Sequence, residues 1–183
     1  MSNILVATGS PRKGGNTELL MDEALRGAAE AGAETEKIFI DDLDIKPCKG
    51  CGACLRDEVE WCAQEDDMID LYPKILLADG IMLGTPIYWW GPSAQLKLFF
   101  DRWYALMGKH RDKMKGKKTA LICAMGDTNP KTARHTTGMF QDVFSYLSMP
   151  MSGEMVVTAH EKGEVSKNKE ALDEAFALGK NMV

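Results

Sequence analysis

No stretch of the 183-residue chain is long and apolar enough to cross a bilayer as a helix. The longest mostly apolar run, Ile81 to Trp90, contains Gly84, Thr85 and Pro86 and reaches about half of the ~20 residues a membrane helix needs. Nor is there an excess of positive charge. Against 22 Lys plus Arg stand 27 Asp plus Glu, a net charge of -5, which gives no electrostatic reason to expect nucleic acid as a partner. The start, Met1 to Val6, carries no basic region and leads into an apolar segment too short for a signal sequence, so the expected location is the cytoplasm. Repeats, low-complexity tracts and linkers are all lacking, and residues 1–183 are expected to form a single domain. Histidine is scarce: His110 and His160 show no partner in the sequence, and His135 reads as surface.

What is present is a regular alternation. With 45% hydrophobic and 27% charged residues a substantial core can form. Asn3 to Thr8 reads as a short apolar strand, and Leu20, Ala24, Ala28 and Ala31 recur at helical spacing behind it. The cycle repeats with strands expected at Glu36–Ile40, Gly80–Thr85, Lys118–Ala124 and Met155–Thr158. Helices are expected at Asp67–Leu77, behind the N-cap Ser93 with Leu96, Phe99, Phe100, Trp103 and Met107 on one face, around Met139 to Leu147, and around Leu172 to Gly179. Five strands alternating with five helices predict a parallel sheet covered on both faces, a doubly wound α/β domain. In its flavodoxin-like version the strand order is 2-1-3-4-5, and ligands bind beyond the carboxyl ends of strands one and three. The one interruption is a cysteine-rich insertion after strand 2, residues 42–66.

The loop after the first strand, Gly9-Ser10-Pro11-Arg12-Lys13-Gly14-Gly15-Asn16-Thr17, places backbone amides and a helix dipole where an anion would sit. It lacks the Gly-Lys-Ser/Thr of a triphosphate loop and the spacing of a dinucleotide fingerprint. What remains is a monophosphate cradle, with Ser10, Thr17, Asn16 and Arg12 as donors. An ordinary turn with Asn16 as helix cap and Arg12 in solvent fits the same residues. After the third strand comes Thr85-Pro86-Ile87-Tyr88-Trp89-Trp90-Gly91-Pro92, whose flat side chains suit a planar ring. A core plug or an oligomer contact is the alternative use for them.

Four of the five cysteines are spaced Cys48-x2-Cys51-x2-Cys54-x7-Cys62. The compact triplet with a distant fourth thiol suits a 4Fe-4S cluster better than the two separated knuckles of a zinc site, and structural zinc or plain reduced thiols are the other readings. Gly50 and Gly52 allow the backbone to curl there. Cys123, inside an apolar strand, reads as inert core. The acidic run Glu58, Glu60, Glu65, Asp66, Asp67 and Asp70 reads as a solvated face capping the next helix.

The segments Gly9 to Thr17 and Gly84 to Trp89, followed by Ser93-Ala94-x-Leu96-Lys97-x-Phe99-x-Asp101-Arg102, resemble the flavodoxin-like NADPH-dependent FMN reductases. Within that family the cysteine insertion resembles the iron-sulfur flavoproteins. The likeness covers about the first 105 residues well and the rest only in element order. It implies that Ser10, Arg12, Gly15, Asn16 and Thr17 hold the FMN phosphate, that Pro86, Ile87, Tyr88 and Trp89 lie along the isoalloxazine, and that Cys48, Cys51, Cys54 and Cys62 hold the cluster. The expected activity is an electron-transfer flavoprotein joining a 4Fe-4S cluster to FMN. Its electrons would come from NAD(P)H or a small redox protein such as ferredoxin, and no protein side chain would be catalytic. The rival enzyme is an NAD(P)H-dependent FMN or quinone reductase without a cluster. A phospho-receiver module would need acidic residues after strand one and an Asp after strand three, where this chain has Gly9-Ser10 and Thr85-Pro86. The adjacent aromatics predict a homo-oligomer, a dimer or dimer of dimers, in which the insertion meets a neighbouring subunit's flavin.

Overall fold

The computed structural model describes residues 1–183. Strands β1 (Asn3–Thr8), β2 (Glu34–Phe39), β3 (Gly80–Tyr88), β4 (Gly91–Pro92), β5 (Lys118–Met125) and β6 (Met151–Thr158) alternate with helices α1 (Asn16–Glu30), α2 (Met68–Leu77), α3 (Ala94–Asp101), α4 (Arg134–Tyr146) and α5 (Lys169–Lys180). The main sheet runs β2-β1-β3-β5-β6, every pair parallel. This is the doubly wound arrangement expected from the sequence, with β2 at Glu34–Phe39 in place of Glu36–Ile40, β6 starting at Met151 in place of Met155, and one added strand. A sixth, two-residue strand, β4, folds back antiparallel on β3, pairing Ile87 with Pro92 and Tyr88 with Gly91, so β3 runs three residues past the expected Thr85.

Because the sheet is covered on both faces, its central strands are mostly apolar and buried along nearly their whole length. Along β1, Leu5 and Ala7 join the larger core with α2, α3 and α4, whereas Ile4 and Val6 join the smaller core with α1 and α5. The α1–α5 contact is close enough that a Cβ on Gly27 would collide with the Phe176 carbonyl, and one on Gly179 with the backbone of Ala24. Ser93 caps α3 by accepting from Leu96 N–H at 3.2 Å. The helix then ends at Asp101, and Arg102–Leu106 form a 3₁₀ turn that buries Trp103 and Leu106. Met68 is fully buried, Met107 and Met139 pack half-buried against the larger core, and Cys123 is buried in β5. Burial pushes the Cys123 thiol up to about 12, which keeps it protonated and unreactive.

Between β2 and α2 the chain makes only two short 3₁₀ turns, Ile40–Asp42 and Ala53–Leu55. Side chains hold this long connection in place of regular structure. Arg102 and Asp66, with 1% and 0% of their side chains exposed, form a buried ion pair, and Arg102 Nη1 also donates to the Lys46 carbonyl at 2.9 Å. Asp66 accepts from the N–H groups of Lys46 (3.0 Å) and Met68 (3.1 Å). Both ends of the cysteine segment are thereby fastened to one guanidinium. Asp66 is thus no part of a solvated face. Near the middle, the Trp61 ring lies between Tyr72 (centroids 5.8 Å apart) and His110 (4.5 Å). His110 is buried by this stack, a partnership that its sequence neighbours gave no sign of.

Candidate functional site

At the carboxyl ends of β1, β3 and β5 lies a cleft of about 260 Å³. Its floor is the turn between β1 and α1. Ser10 and Thr17 are buried, with the Ser10 hydroxyl accepting from Arg12 N–H at 3.2 Å. The N–H groups of Asn16, Thr17 and Glu18, the first turn of α1, meet no acceptor in the chain. Three free amides, two hydroxyls and the positive end of a helix dipole make an anion cradle. Arg12 and Gly15 line it too.

One wall of the cleft is Pro86, Ile87 and Tyr88. It is fixed to the floor through Ser93, whose hydroxyl donates to the Gly9 carbonyl at 2.6 Å while its N–H donates to Thr85 Oγ1 at 2.9 Å. Trp89 does not line the cleft. It stands 91% exposed at the tip of the β3–β4 hairpin, where Trp89 and Trp90 both have left-handed φ, 49° and 63°. The turn is anchored to α4 by Thr136, whose hydroxyl donates to the Trp90 carbonyl at 3.0 Å.

The opposite wall comes from the end of β5, whose following loop Met125 to Thr128 matches the family's third flavin loop only weakly, and from the loop after β6, which carries no binding motif. Ala124 and Met125 end β5 and Gly126 follows it, and Ala159, His160 and Lys162 follow β6. The loop after β6, an edge strand separated from β1 by β3 and β5, is brought to the β1–α1 turn by Asn16, which bonds Ala159, Glu161 and Val165.

A second, narrower cleft of about 20 Å³ is lined by Cys48, Cys51, Cys54 and Cys62. It shares no lining residue with the first. Cys54 and Cys62 are half-buried against the larger core, whereas Cys48 and Cys51 are exposed. Burial and the neighbouring Cys62, Cys51 and Cys48 thiols push the Cys54 thiol up. The Gly50 N–H donates to Cys48 Sγ (3.4 Å) and the Gln64 N–H to Cys62 Sγ (3.5 Å). Gly50 and Gly52 take the left-handed φ of 62° and 72° that the curl requires. Of the buried side-chain polar atoms left without a partner, Arg102 Nε and Gln64 Oε1 belong to residues lining this cleft. No three His, Cys, Asp or Glu side chains converge in metal-ligand geometry. The cleft therefore offers a soft, four-thiol donor set of the kind clusters take, in a segment that is not drawn tight.

The sheet order defines a doubly wound, flavodoxin-like α/β protein whose cradle lies at the topological switch point. The model of the NADPH-dependent FMN reductase family matches residues 2–164. An iron-sulfur flavoprotein of Methanosarcina thermophila is 42% identical over 122 residues, 67% of this chain and 62% of that protein. Another, from Methanocaldococcus jannaschii, is 38% identical over 162 residues, 87% of this chain and 80% of that one. The NAD(P)H:quinone oxidoreductase of Methanothermobacter marburgensis superposes with a TM-score of 0.79 at 18% identity, covering 100% and 96% of the two chains, and shares the fold. The chain belongs to the NADPH-dependent FMN reductases, a family of flavin-dependent oxidoreductases, and within it to the iron-sulfur flavoprotein subgroup.

Proposed function

We propose that the protein is an FMN-binding oxidoreductase that also carries a 4Fe-4S cluster, taking electrons from NAD(P)H or a small redox protein such as a ferredoxin and working as a homo-oligomer. The observation that carries the flavin assignment is the cradle, where Asn16 and Thr17 with unpartnered amides, two buried hydroxyls and Arg12 line one cleft. Ser10, Thr17 and the α1 amides would hold the phosphate, and the Arg12 fork would neutralise it. Pro86 to Tyr88 would lie along the ring system. Their wall is rigid because Ser93 and Thr85 tie it to Gly9. The cluster would be held by Cys48, Cys51, Cys54 and Cys62.

When bound, FMN supplies both hydride and single-electron transfer and the cluster single-electron transfer. The protein's part is to bind, orient and insulate, and no side chain in the cradle is needed to move a proton. The two clefts share no residue, which supports exchange between the insertion of one subunit and the flavin of its neighbour. The exposed Tyr88, Trp89 and Trp90 supply an apolar surface for such an assembly.

A second reading, an NAD(P)H-dependent FMN or quinone reductase without a cluster, is favoured by the absence of converged metal-ligand geometry. Iron and acid-labile sulfide analysis of anaerobically purified protein, with its visible spectrum, separates the two. Four iron and four sulfide per flavin are expected, whereas flavin bands alone would establish the second reading.

A further inference from the structure

Asn16 opens α1 beside the cradle, where its side-chain amide looks like a phosphate donor. Its carboxamide is committed elsewhere. Nδ2 donates to the carbonyls of Ala159 (3.2 Å) and Glu161 (2.8 Å), and Oδ1 accepts from Val165 N–H at 3.1 Å. A carboxamide nitrogen has two protons, and both are used. These bonds fold the loop after β6 over the phosphate turn. A Cβ on Gly14 would lie 3.8 Å from Lys162 Cε, and one on Gly163 3.4 Å from the Gly14 carbonyl oxygen. Glu164 fastens the loop further by accepting from the N–H groups of His160 (2.6 Å) and Glu161 (2.8 Å).

Charge pairing around the turn points the same way. Lys13 is bound to Asp42, and Lys37 to Glu18 and Asp22. Arg12 and Lys162, the two basic chains that line the cleft, have no carboxylate partner. Glu18, the nearest acid on α1, is occupied by Gly14 N–H (2.6 Å) and by Lys37. The mouth of the cradle therefore holds two uncompensated cations, one on each side, and the second is there because Asn16 holds its loop.

We propose that Asn16 is a positioning residue that latches the β6–α5 loop, and that Lys162, delivered by this latch, is a second phosphate-binding cation of the cradle opposite Arg12. The inference rests on reading the cradle as the FMN phosphate site. Riboflavin, which lacks the phosphate, separates the two claims. Apoprotein is titrated with FMN and with riboflavin, following flavin fluorescence, for the wild type, Lys162→Gln, Asn16→Ala and the double variant. Lys162→Gln is expected to weaken FMN about tenfold, the loss of one charge-assisted hydrogen bond, and to leave riboflavin binding unchanged. Asn16→Ala is expected to weaken FMN at least as much and to speed hydrogen exchange at the Val165 amide. Because Asn16 acts through Lys162, the double variant should bind FMN no worse than Asn16→Ala alone. Additive losses would put Asn16 on the phosphate itself and overturn the latch. Wild-type FMN affinity in Lys162→Gln, an exposed substitution that leaves the fold intact, would overturn the cation. A wild-type protein that binds FMN no tighter than riboflavin would instead overturn the cradle reading beneath both.

Discussion

Asp66 and Arg102, 36 residues apart in the chain, bury their opposite charges against each other under the cysteine segment. The bond is bidentate, with the second arm, Nη2 to Oδ1, at 3.0 Å. Burial pushes the Asp66 carboxyl up, but hydrogen bonds from Arg102 and from the Lys46 and Met68 amides outweigh it and hold the group below the usual carboxylate range. Asp66→Asn leaves a guanidinium buried without its counter-ion, and should cost about 3–5 kcal/mol in urea-induced unfolding. The sign with pH follows from the lowered carboxyl. The pair's contribution is complete above the carboxyl pKa of the unfolded chain and is lost as pH falls through the lower, folded value. Stability measured from pH 7 downward should therefore drop more steeply in the wild type than in Asp66→Asn.

Arg12→Glu should keep the fold, since the side chain is exposed, and lose FMN. Replacing a charge-assisted hydrogen bond with repulsion costs at least ~1.5–3 kcal/mol of affinity. Equilibrium titration of the apoprotein reads it directly, and an unchanged dissociation constant would remove Arg12 from the phosphate site.

Cys51→Ala should abolish iron and sulfide and leave flavin content intact, because the two clefts have no residue in common and a cluster deprived of one thiolate is labile. Undiminished iron in the purified variant would return Cys51 to the status of a surface thiol.

The α1–α5 seam gives a paired test of packing. Gly179→Ala drives a Cβ into the backbone of Ala24 and should destabilise by about 1–3 kcal/mol, the usual cost of overpacking. Gly138→Ala, in α4 with nothing near its new methyl, should stabilise by about 0.5–1 kcal/mol through helix propensity. Thermal unfolding of the two variants should move in opposite directions.

Sedimentation equilibrium at micromolar concentration should give a multiple of 20.2 kDa, with Tyr88, Trp89 and Trp90 in the contact. A monomer with both cofactors bound would leave the hairpin without a partner.

The sheet and the floor of the cradle were legible in the sequence because both are written locally: β1 and β5 as unbroken apolar runs, the cradle as glycines and hydroxyls between a strand and a helix. The wall formed by Ala159, His160 and Lys162 was not. It is placed by Asn16, whose bonding partners lie 143 to 149 residues away, and a loop held from outside needs no motif of its own. Asp66 was misread for a related reason. A carboxylate among five other acids looks solvated until the fold brings Arg102 to it. The end of α3 was hidden because a 3₁₀ turn buries Trp103 and Leu106 as a continuing helix would, and hydrophobic spacing records burial more faithfully than hydrogen-bond pattern. The β4 hairpin escaped notice because two-residue turns of this handedness are ordinarily signalled by Asn-Gly or Asp-Gly, and here the tip is Trp89-Trp90.

Indoles where such a turn prefers small polar residues have an energetic consequence. Bulky side chains in the left-handed region cost of order 1–3 kcal/mol each, so the hairpin tip, with Trp89 and Trp90 both at positive φ, holds backbone strain. Asn-Gly at these two positions is therefore expected to raise the thermal unfolding midpoint. The tip holds two large rings in solvent, Trp89 91% and Trp90 44% exposed, at that cost.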